Sequence, residues 1–392
     1  MEPNCSVLIV VAQAEGTFRV RGRSAEKEAA TESAGPGGYA EVLIVGAGPA
    51  GLACAIAAAR QGLQVEVVDG MSPPIDKACG EGLMPDALES LAALGFDLDK
   101  FIDPSQCASM KGIRFLSGDI AAQASFPAEA GRGIRRTVLH AALLECAVQL
   151  GVGFSWSTSV QGIEPGPDGV VVCTNRQSFR CRYLVGADGL RSQIAKWSGL
   201  AEGARITSHR FCMRQHYCVA PWSDFVEVYW SDWGQAYVTP ISATEVCVAF
   251  TADRKLASPE VALRGFPLLE ERLGGAERKG TPRGAVTVIR TLRSVATGSI
   301  ALVGDASGAV DTVTGEGMAL SFRYAAALVS AIRAGDLARY HQAHRRIQRL
   351  PTLMSRVLLL LGNSPRLRAI VFRILEKCPW IFAGLLRVHV GA

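Results

Sequence analysis

The residues from Glu41 to Gly51 read E-V-L-I-V-G-A-G-P-A-G, and this stretch constrains the fold more than any other part of the chain. A β-branched run meets the spacing G-x-G-x-x-G, and a helix of small residues follows at once. Gly46 permits a tight turn, Gly48 lets the backbone approach a pyrophosphate, and Gly51 lets the helix pack closely on its strand. The helix N-terminus then faces the bound anion. The stretch predicts a βαβ unit that binds a dinucleotide.

The next predicted strand, L-Q-V-E-V-V-D, ends on Asp69, 23 residues after Gly46. An acid at this distance is where dinucleotide-binding folds receive a ribose hydroxyl. Strand, glycines, helix, strand and terminal acid in register are a far stronger signal than the glycines alone. The first predicted cofactor-binding residues are therefore Gly46, Gly48, Pro49, Ala50, Gly51 and Asp69.

Composition places the chain among ordinary globular proteins of more than one structural unit, since it has 392 residues, of which 49% are hydrophobic and 20% charged. The 11 cysteines contain no C-x-x-C pair, and the apolar run from Val7 to Ala12 is short and lacks a basic leader. We interpret the cysteines as reduced and mostly buried, which predicts a cytoplasmic protein. No apolar run approaches the ~20 residues that span a bilayer.

Charge is concentrated at one end of the chain. Residues 341–392 contain nine Lys or Arg and a single acid, Glu376, so this segment carries +8, and the preceding 340 residues carry −3 of the total +5. A uniformly basic surface for nucleic acid is not indicated.

The segment from Phe211 to Phe250 changes to antiparallel β patterning, with the runs F-V-E-V-Y-W, Q-A-Y-V-T-P and E-V-C-V-A-F. Its aromatic residues are candidates for the wall of a substrate site, and Phe211, Trp230 and Tyr237 are the predicted substrate residues. Aromatic side chains in a sheet more commonly form core, and that alternative stays open.

Three further motifs accompany the first: G-I-R-R-T-V-L-H around Arg136, V-G-A-D-G-L-R-S at 185–192, and L-V-G-D-A-S-G-A-V-D-T-V-T-G-E-G-M-A-L at 302–320. Together the four resemble the FAD-binding domain of the p-hydroxybenzoate-hydroxylase-like flavoproteins, a superfamily of single-component aromatic hydroxylases and geranylgeranyl reductases. The resemblance covers roughly 40–200 and 285–345. It implies non-covalent FAD as the cofactor.

The resemblance assigns several residues to that cofactor. Asp305 would lie near the ribityl chain, where Gly304 lets the backbone pass close, and Arg136 would contact the phosphate or ribose unless Arg135 takes that place. Asp188 would lie near the pyrophosphate, or else cap the helix that follows it. The loop residues Gly315, Gly317 and Met318 would provide backbone N–H groups near the flavin ring.

The loop D-K-A-C-G-E-G is similar to the Lys-x-Cys-Gly segment of geranylgeranyl reductases. The resemblance places Lys77, Cys79 and Gly80 at the flavin. Cys79 and Glu316 are the catalytic candidates. The alternative for Cys79 is a buried packing thiol, and the sequence shows no partner that would tune the pKa of Glu316. Q-A-Y-V-T-P is a degenerate form of the reductases' Tyr-x-Trp-x-Phe-Pro signature, which leaves isoprenoid specificity open.

The predicted fold class is α/β: a Rossmann-like FAD-binding domain with an inserted antiparallel β-sheet substrate domain and a C-terminal helical segment. The predicted layout is a flexible extension at 1–38, a discontinuous FAD-binding domain at 39–111, 130–204 and 285–345, a substrate sheet at 112–129 and 205–284, and a helical cap at 346–392. The histidines show no metal-ligand spacing, so no metal is predicted.

The favoured function is an NAD(P)H-dependent monooxygenase that hydroxylates a hydrophobic substrate of aromatic, polyketide or isoprenoid type. The alternatives are a flavin reductase that saturates alkenes of a prenyl lipid, and a flavin-binding protein without catalysis. No second G-x-G-x-x-G exists, so electrons would come from transiently bound NAD(P)H or from an external reductase.

The C-terminal run R-L-R-A-I-V-F-R-I-L-E-K predicts an amphipathic helix. Its apolar stripe is Leu367, Ile370, Val371, Ile374 and Leu375, and Arg368, Arg373 and Lys377 lie off that stripe. Two interpretations are open: a structural cap over the substrate domain, or a peripheral contact with an anionic membrane.

Overall fold

A computed structural model of the chain describes residues 38–391 and two short segments, 11–13 and 16–18. The two segments form the antiparallel pair β1 (Val11–Gln13) and β2 (Gly16–Phe18). The predicted extension at 1–38 lies outside the described residues apart from these segments and Gly38.

The strands of residues 38–391 are β3 (Gly38–Val45), β4 (Val65–Val68), β5 (Gly82–Leu83), β6 (Cys107–Met110), β7 (Gly112–Ser117), β8 (Ile120–Ser125), β9 (Gly131–Ile134), β10 (Gly153–Ser155), β11 (Val160–Gly166), β12 (Gly169–Thr174), β13 (Ser178–Gly186), β14 (Arg205–Cys218), β15 (Phe225–Trp230), β16 (Gly234–Pro240), β17 (Glu245–Ala252), β18 (Glu277–Thr291), β19 (Ala296–Thr297) and β20 (Ile300–Leu302).

The helices of the same residues are α1 (Pro49–Arg60), α2 (Pro85–Ala93), α3 (Leu98–Phe101), α4 (Arg136–Gln149), α5 (Gln193–Trp197), α6 (Pro259–Leu263), α7 (Pro267–Arg272), α8 (Gly317–Arg333), α9 (Leu337–Asn363), α10 (Pro365–Lys377) and α11 (Pro379–His389). Short 3₁₀ turns lie at Pro104–Gln106, Gly304–Ser307 and Thr312–Thr314.

The first sheet is the predicted Rossmann-like unit. Its strand order is β10-β4-β3-β13-β12-β11, and β20 pairs in parallel with the end of β13. The β3, β4, β10 and β13 pairings are parallel, as crossover helices require. Helices α1, α4 and α8 share one apolar core with this sheet. Strands β10 and β11 follow each other closely in the chain but pair with different neighbours, β4 and β12 respectively.

The second sheet is the predicted antiparallel insertion, with the order β18-β14-β17-β16-β15-β7-β8. The hairpin β7–β8 comes from the segment 112–129 and joins the sheet through a parallel pairing of β7 with β15. The α/β fold with an inserted sheet is therefore confirmed. The predicted boundary at 284/285 needs correction, since β18 runs on to Thr291 and pairs with β14 along its length.

A small third sheet, β5-β9-β6, connects two of the sequence motifs. Gly82, at the end of the cysteine loop, pairs with Gly133 of the arginine motif. This pairing holds the loop from Lys77 to Gly82 beside the start of α4.

The C-terminal helices pack on one face of the second sheet, where α10 lies against β8. Helix α9 begins at Leu337, so the predicted boundary at 345/346 falls inside one continuous helix. Phe372 is fully buried, with its ring 5.2 Å from that of Phe115 and 5.5 Å from that of Trp230. In the described part of the chain, no helix combines the length and apolar character needed to cross a bilayer.

The structure divides the predicted stripe on α10 between two sides of the helix. Arg368, expected off the stripe, is buried and pairs with Asp232 at 2.7 Å, whereas Leu367, Ile370 and Ile374 are exposed. The inward face holds Leu375, which belongs to the predicted stripe, and Phe372, which does not. The helix is apolar on both sides, and local periodicity could not show which side meets the sheet.

We predict that Phe372→Ala destabilises the C-terminal helices, because removing a fully buried phenyl ring leaves a cavity that costs about 3–5 kcal/mol. Ile370→Ala is the matched control on the same helix, since Ile370 is 59% exposed. Chemical denaturation monitors the free energy of unfolding of both variants. Equal losses in the two would contradict the described orientation of α10.

Candidate functional site

The glycine-rich turn after β3 is closely packed on one side and open on the other. A Cβ on Gly46 would lie 2.4 Å from the carbonyl oxygen of Ala187, and one on Gly51 would lie 1.9 Å from that of Gly46. Gly46 also has φ +108°, which L side chains rarely adopt. A Cβ on Gly48 would meet no atom within 4 Å. Packing within the protein therefore requires glycine at positions 46 and 51. At position 48 the space is open, and glycine there leaves room for a ligand.

Two side chains fix the peptide of Ala47 within this turn. Asp69 accepts a hydrogen bond from the Ala47 N–H at 2.7 Å, and its other oxygen accepts from Met71 N–H at 2.8 Å. His140 on α4 donates its Nε2–H to the Ala47 carbonyl at 2.9 Å, and burial lowers the pKa of His140. Sequence analysis missed His140. Its signal was a polar side chain on the buried face of an otherwise apolar helix.

A cavity of about 710 Å³ lies between the two sheets and the C-terminal helices. The predicted residues that line it are Gly48, Pro49, Ala50, Lys77, Cys79, Gly80, Arg136, Tyr237, Gly304, Asp305, Gly315, Gly317 and Met318. Those predicted residues that do not line it are Gly46, Gly51, Asp69, Asp188, Phe211, Trp230 and Glu316.

The structure separates the two candidate arginines. Arg135 forms an ion pair with Glu245 at 2.8 Å. Arg136 lines the cavity, and its buried Nε has no hydrogen-bond partner among the described residues. A fixed guanidinium with an unsatisfied buried N–H is suited to an anionic ligand.

Asp188 has one oxygen engaged and one free. Its Oδ2 accepts from the backbone N–H groups of Gln193 and Ile194 at 2.7 and 3.2 Å, so it supports the start of α5 as the alternative interpretation expected. Its buried Oδ1 has no partner among the described residues. The neighbouring residues Ala187 and Gly189 line the cavity.

Asp305 reaches solvent through the cavity, and three cations surround it. The surrounding protein desolvates the Asp305 carboxyl group and so raises its pKa, whereas the positive charges of Lys77, Arg136 and Arg290 lower it. A carboxylate held in this way can accept hydrogen bonds from ligand hydroxyl groups.

A buried network connects the cysteine loop to the second sheet. Glu81 has φ +60° and accepts from Arg136 N–H at 3.0 Å and from His216 Nε2 at 2.6 Å. Arg214 contacts Nδ1 of His216 at 3.2 Å and pairs with Asp76. Since a guanidinium can only donate, Nδ1 of His216 accepts and Nε2 carries the proton. No sequence pattern indicates this pairing, because Glu81 and His216 are 135 residues apart.

Glu81, His216 and Cys247 also place one potential metal-ligand atom each within 4.8 Å of one another. The Nε of Arg214 lies 3.8 Å from Glu81, and burial raises the pKa of Cys247 well above its usual value. A neighbouring guanidinium and a protonated thiol both disfavour a bound cation.

Glu316 is buried at the start of α8 beside His389 of α11. Burial, together with the nearby Asp86 carboxylate, raises the pKa of Glu316 from 4.5 to about 8. His389 donates from Nε2 to the carbonyl of Thr314 at 3.1 Å, and its Nδ1 lies 3.8 Å from Glu316. Burial lowers the pKa of His389. Glu316 therefore holds a proton near neutral pH, but it stands behind the cavity wall.

The predicted aromatic wall needs correction at two of three positions. Tyr237 lines the cavity. Trp230 lies on the same face of β15 as the cavity-lining Val226 and Val228, but α10 covers it. Phe211 does not line the cavity, although the next two residues of β14 do. Helices α9–α11, which sequence analysis did not assign to the wall, provide the missing apolar surface.

The model of the FAD binding domain family matches residues 39–257. The chain belongs to this family. Among curated proteins, menaquinone reductase from Mycolicibacterium smegmatis is 27% identical over 78% of this chain and 79% of its own, and digeranylgeranylglycerophospholipid reductase from Methanocella arvoryzae is 26% identical over 76% and 79%. Among solved structures, p-nitrophenol 4-monooxygenase PnpA from Pseudomonas putida has a TM-score of 0.76 at 18% identity, over 89% of this chain and 97% of that one.

These matches confirm the resemblance to the p-hydroxybenzoate-hydroxylase-like superfamily, and the protein is an FAD-dependent oxidoreductase. The cavity fits FAD at several independent points. Cβ atoms on Gly48, Gly80 and Gly317 would all enter open space, and the unpaired donor of Arg136 and unpaired acceptor of Asp188 lie beside that space. Arg136 and the N-terminus of α1 would hold the pyrophosphate, and Asp305 the ribityl hydroxyls. When bound, FAD supplies hydride chemistry to the cavity.

We predict that Gly48→Val abolishes flavin retention, because the new side chain occupies the space that the pyrophosphate needs. Gly162→Val is the matched control, since a Cβ there also meets no atom within 4 Å but lies on β11, away from the cavity. Flavin absorbance per protein after gel filtration measures retention. Full FAD occupancy in Gly48→Val would overturn the assigned position of the cofactor.

We predict that Glu316→Gln changes how stability depends on pH. A carboxyl group with a folded pKa of about 8 and an unfolded pKa near 4.5 binds more protons when folded, so the wild-type protein loses stability as pH rises between these values. The variant lacks this loss and gains roughly 3 kcal/mol relative to wild type between pH 5 and pH 8. Denaturant unfolding with saturating FAD measures the free energy of unfolding of both proteins at each pH. The control is Glu129→Gln, since Glu129 is exposed. A difference that stays constant across pH would contradict the buried, protonated state of Glu316.

Proposed function

We propose that this protein is an FAD-dependent reductase that saturates carbon–carbon double bonds of a prenyl lipid. The observation that carries the proposal is a continuous apolar cavity wall that runs from the cysteine loop to the surface of the C-terminal helices. The volume of the cavity, about 710 Å³, lies in the range usual for small-molecule sites.

The wall of the cavity consists mostly of aliphatic and aromatic side chains. Beside the cysteine loop lie Met84 and Met110, the second sheet contributes Phe115 and Val228, and the helices contribute Leu361. The charged residues Arg214 and Asp311 also line the cavity, but each is engaged in an ion pair, with Asp76 and Arg210 respectively. An extended hydrocarbon chain fits such a wall better than a compact polar aromatic ring does.

Saturation of one double bond requires a hydride and a proton. The hydride is the contribution of the cofactor, and a group of this chain must provide the proton. Cys79 lines the cavity, and burial raises the pKa of Cys79 although Arg136 opposes this effect. The Glu81 N–H lies 3.4 Å from its sulfur. A neutral thiol at this position is the proton donor that we propose, and solvent protons restore it after each turnover.

The curated relatives support the reductase over the monooxygenase that the sequence analysis favoured. Two reductases align over more than three quarters of this chain. The likeness to p-nitrophenol 4-monooxygenase is one of fold, at 18% identity, and rifampicin monooxygenase from Streptomyces venezuelae aligns at 27% identity over only 41% of this chain. NAD(P)H or an external reductase remains our proposal for the electron donor, and a hydrophobic lipid is our proposal for the small-molecule partner.

We predict turnover without oxygen. The FAD-loaded protein, reduced with NADPH or dithionite in an anaerobic chamber, should convert a geranylgeranyl lipid or a menaquinone to a product that has gained two hydrogens per saturated bond, as mass spectrometry would show. Stopped-flow absorbance should show flavin reoxidation by the lipid alone. A product that gains an oxygen atom, together with lipid-stimulated oxygen uptake, would establish the monooxygenase and exclude our proposal.

Two cysteine variants provide the matched control for this assay. Cys79→Ala should lower anaerobic turnover at least tenfold while FAD stays bound, because the proton donor is lost but the hydride source is not. Cys107→Ala should keep wild-type turnover, since Cys107 is half-buried on β6 and does not line the cavity. Equal turnover in the two variants would remove Cys79 from the mechanism.

A further inference from the structure

We propose that the outward faces of α9, α10 and α11 form a docking surface for an anionic lipid bilayer around the mouth of the cavity. The route of the substrate in this proposal rests on the proposed function, but the surface itself is independent of it. The sequence left a structural cap and a membrane contact as alternatives. The structure shows that the helices present apolar side chains on two opposite sides.

A repeated pattern occupies the outward sides of α9 and α10. In α9 the apolar positions Leu350, Leu353, Val357 and Leu360 follow a spacing of i, i+3, i+7 and i+10, and in α10 the positions Leu367, Ile370 and Ile374 follow the same spacing. Each series lies on one face of its helix. All seven side chains are exposed. An outward apolar face repeated on two helices is not needed to fill the core.

Basic residues accompany both series at equivalent positions. Arg349 and Arg356 directly precede the first and third apolar residues of α9, and Arg366 and Arg373 do the same in α10. One residue corresponds to 100° around a helix, so each guanidinium flanks the apolar face. Long arginine side chains can keep their charge at the head-group level while the stem covers apolar surface.

The concentration of exposed apolar side chains distinguishes this surface from the rest of the protein. Of 18 exposed large hydrophobic side chains in the described residues, ten lie between 350 and 388. Leu360 is 61% exposed and Trp380 is 74% exposed. Such a concentration of exposed apolar side chains beside basic residues is typical of an interaction site rather than of ordinary surface.

The patch is continuous with the cavity. Leu353, Val357 and Leu385 are exposed and also line the cavity. An acyl or prenyl chain can therefore move between a bilayer and the cavity along apolar side chains. This continuity favours a lipid occupant, because a protein partner on the same surface would close the mouth.

The charge of the surface decides between a bilayer and a second copy of the chain. Eight of the nine basic residues of 341–391 are exposed, Arg368 being the buried one, and Glu376 is the segment's single acid. A symmetric dimer would bring two such surfaces together and place like charges opposite each other. An anionic head-group layer is complementary to them.

Vesicle sedimentation tests the proposal with the full FAD-loaded chain and with neither reductant nor substrate present, so that failure of the proposed reaction cannot affect the result. Wild type should sediment with phosphatidylglycerol–phosphatidylcholine vesicles at low salt, and this binding should weaken at high salt. It should bind vesicles of phosphatidylcholine alone much more weakly. The triple variant Arg349→Gln, Arg366→Gln, Arg373→Gln should bind anionic vesicles about 100-fold more weakly, roughly fivefold for each charge.

Matched triple variants elsewhere on the protein control for charge and hydrophobicity. Arg176→Gln, Arg180→Gln and Arg264→Gln, all exposed and away from the three helices, should leave binding within about twofold of wild type. Leu360→Gln, Ile370→Gln and Trp380→Gln should weaken binding even at low salt, whereas Ile206→Gln, Val261→Gln and Met71→Gln should not. All four should retain FAD, which shows that they are folded.

Three results would overturn the proposal. The first is no sedimentation of wild type with anionic vesicles at low salt. The second is equal loss of binding in the two arginine triples. The third is a dimer in analytical ultracentrifugation that Leu360→Gln, Ile370→Gln and Trp380→Gln converts to a monomer without any change in vesicle binding, since the surface would then be an interface between copies.

Discussion

The close contact between the glycine turn and the end of β13 is the constraint on which the site depends. Gly46 and Gly51 have no room for a side chain there, because the backbone of Ala187 and the carbonyl of Gly46 occupy the space. This contact joins the first motif to the Ala187–Asp188 turn, and the parallel pairing of β13 with β20 then brings the Gly304–Asp305 turn to the same edge. Motifs more than 100 residues apart thus meet where carboxyl ends of parallel strands converge, the usual ligand position in such sheets.

A second constraint links the cysteine loop both to the start of α4 and to the second sheet. Glu81 receives hydrogen bonds from the backbone of Arg136 on one side and from His216 of β14 on the other. Burial of a carboxyl group is costly unless its hydrogen bonds are satisfied, so these two bonds stabilise the position of the loop that carries Cys79. The same loop therefore contributes the candidate proton donor and the link between cofactor and substrate walls.

The C-terminal helices close the cavity and also form its entrance. Their inner face buries Phe372 and Leu375 against the second sheet, and Arg368 anchors α10 through Asp232. Their outer face leaves apolar side chains in water, which is unfavourable. Contact of these side chains with lipid would remove them from water and would stabilise the bound state. Stability of the cap and access of an apolar substrate are thereby properties of the same three helices.

The sequence by itself determined the cofactor-binding fold, because the fingerprint of Gly46, Gly48 and Gly51 acts through local geometry: a tight turn, a close backbone approach and a helix N-terminus. It also determined the inserted sheet, whose strands follow a period of two. Only the tertiary structure decided which of Arg135 and Arg136 faces the cavity, that Trp230 lies under α10, and which side of α10 is outward. It also decided the pKa of Glu316, which burial and Asp86 set. Such outcomes depend on neighbours distant in sequence, and a pattern of residue types within one element carries no information about what packs against it.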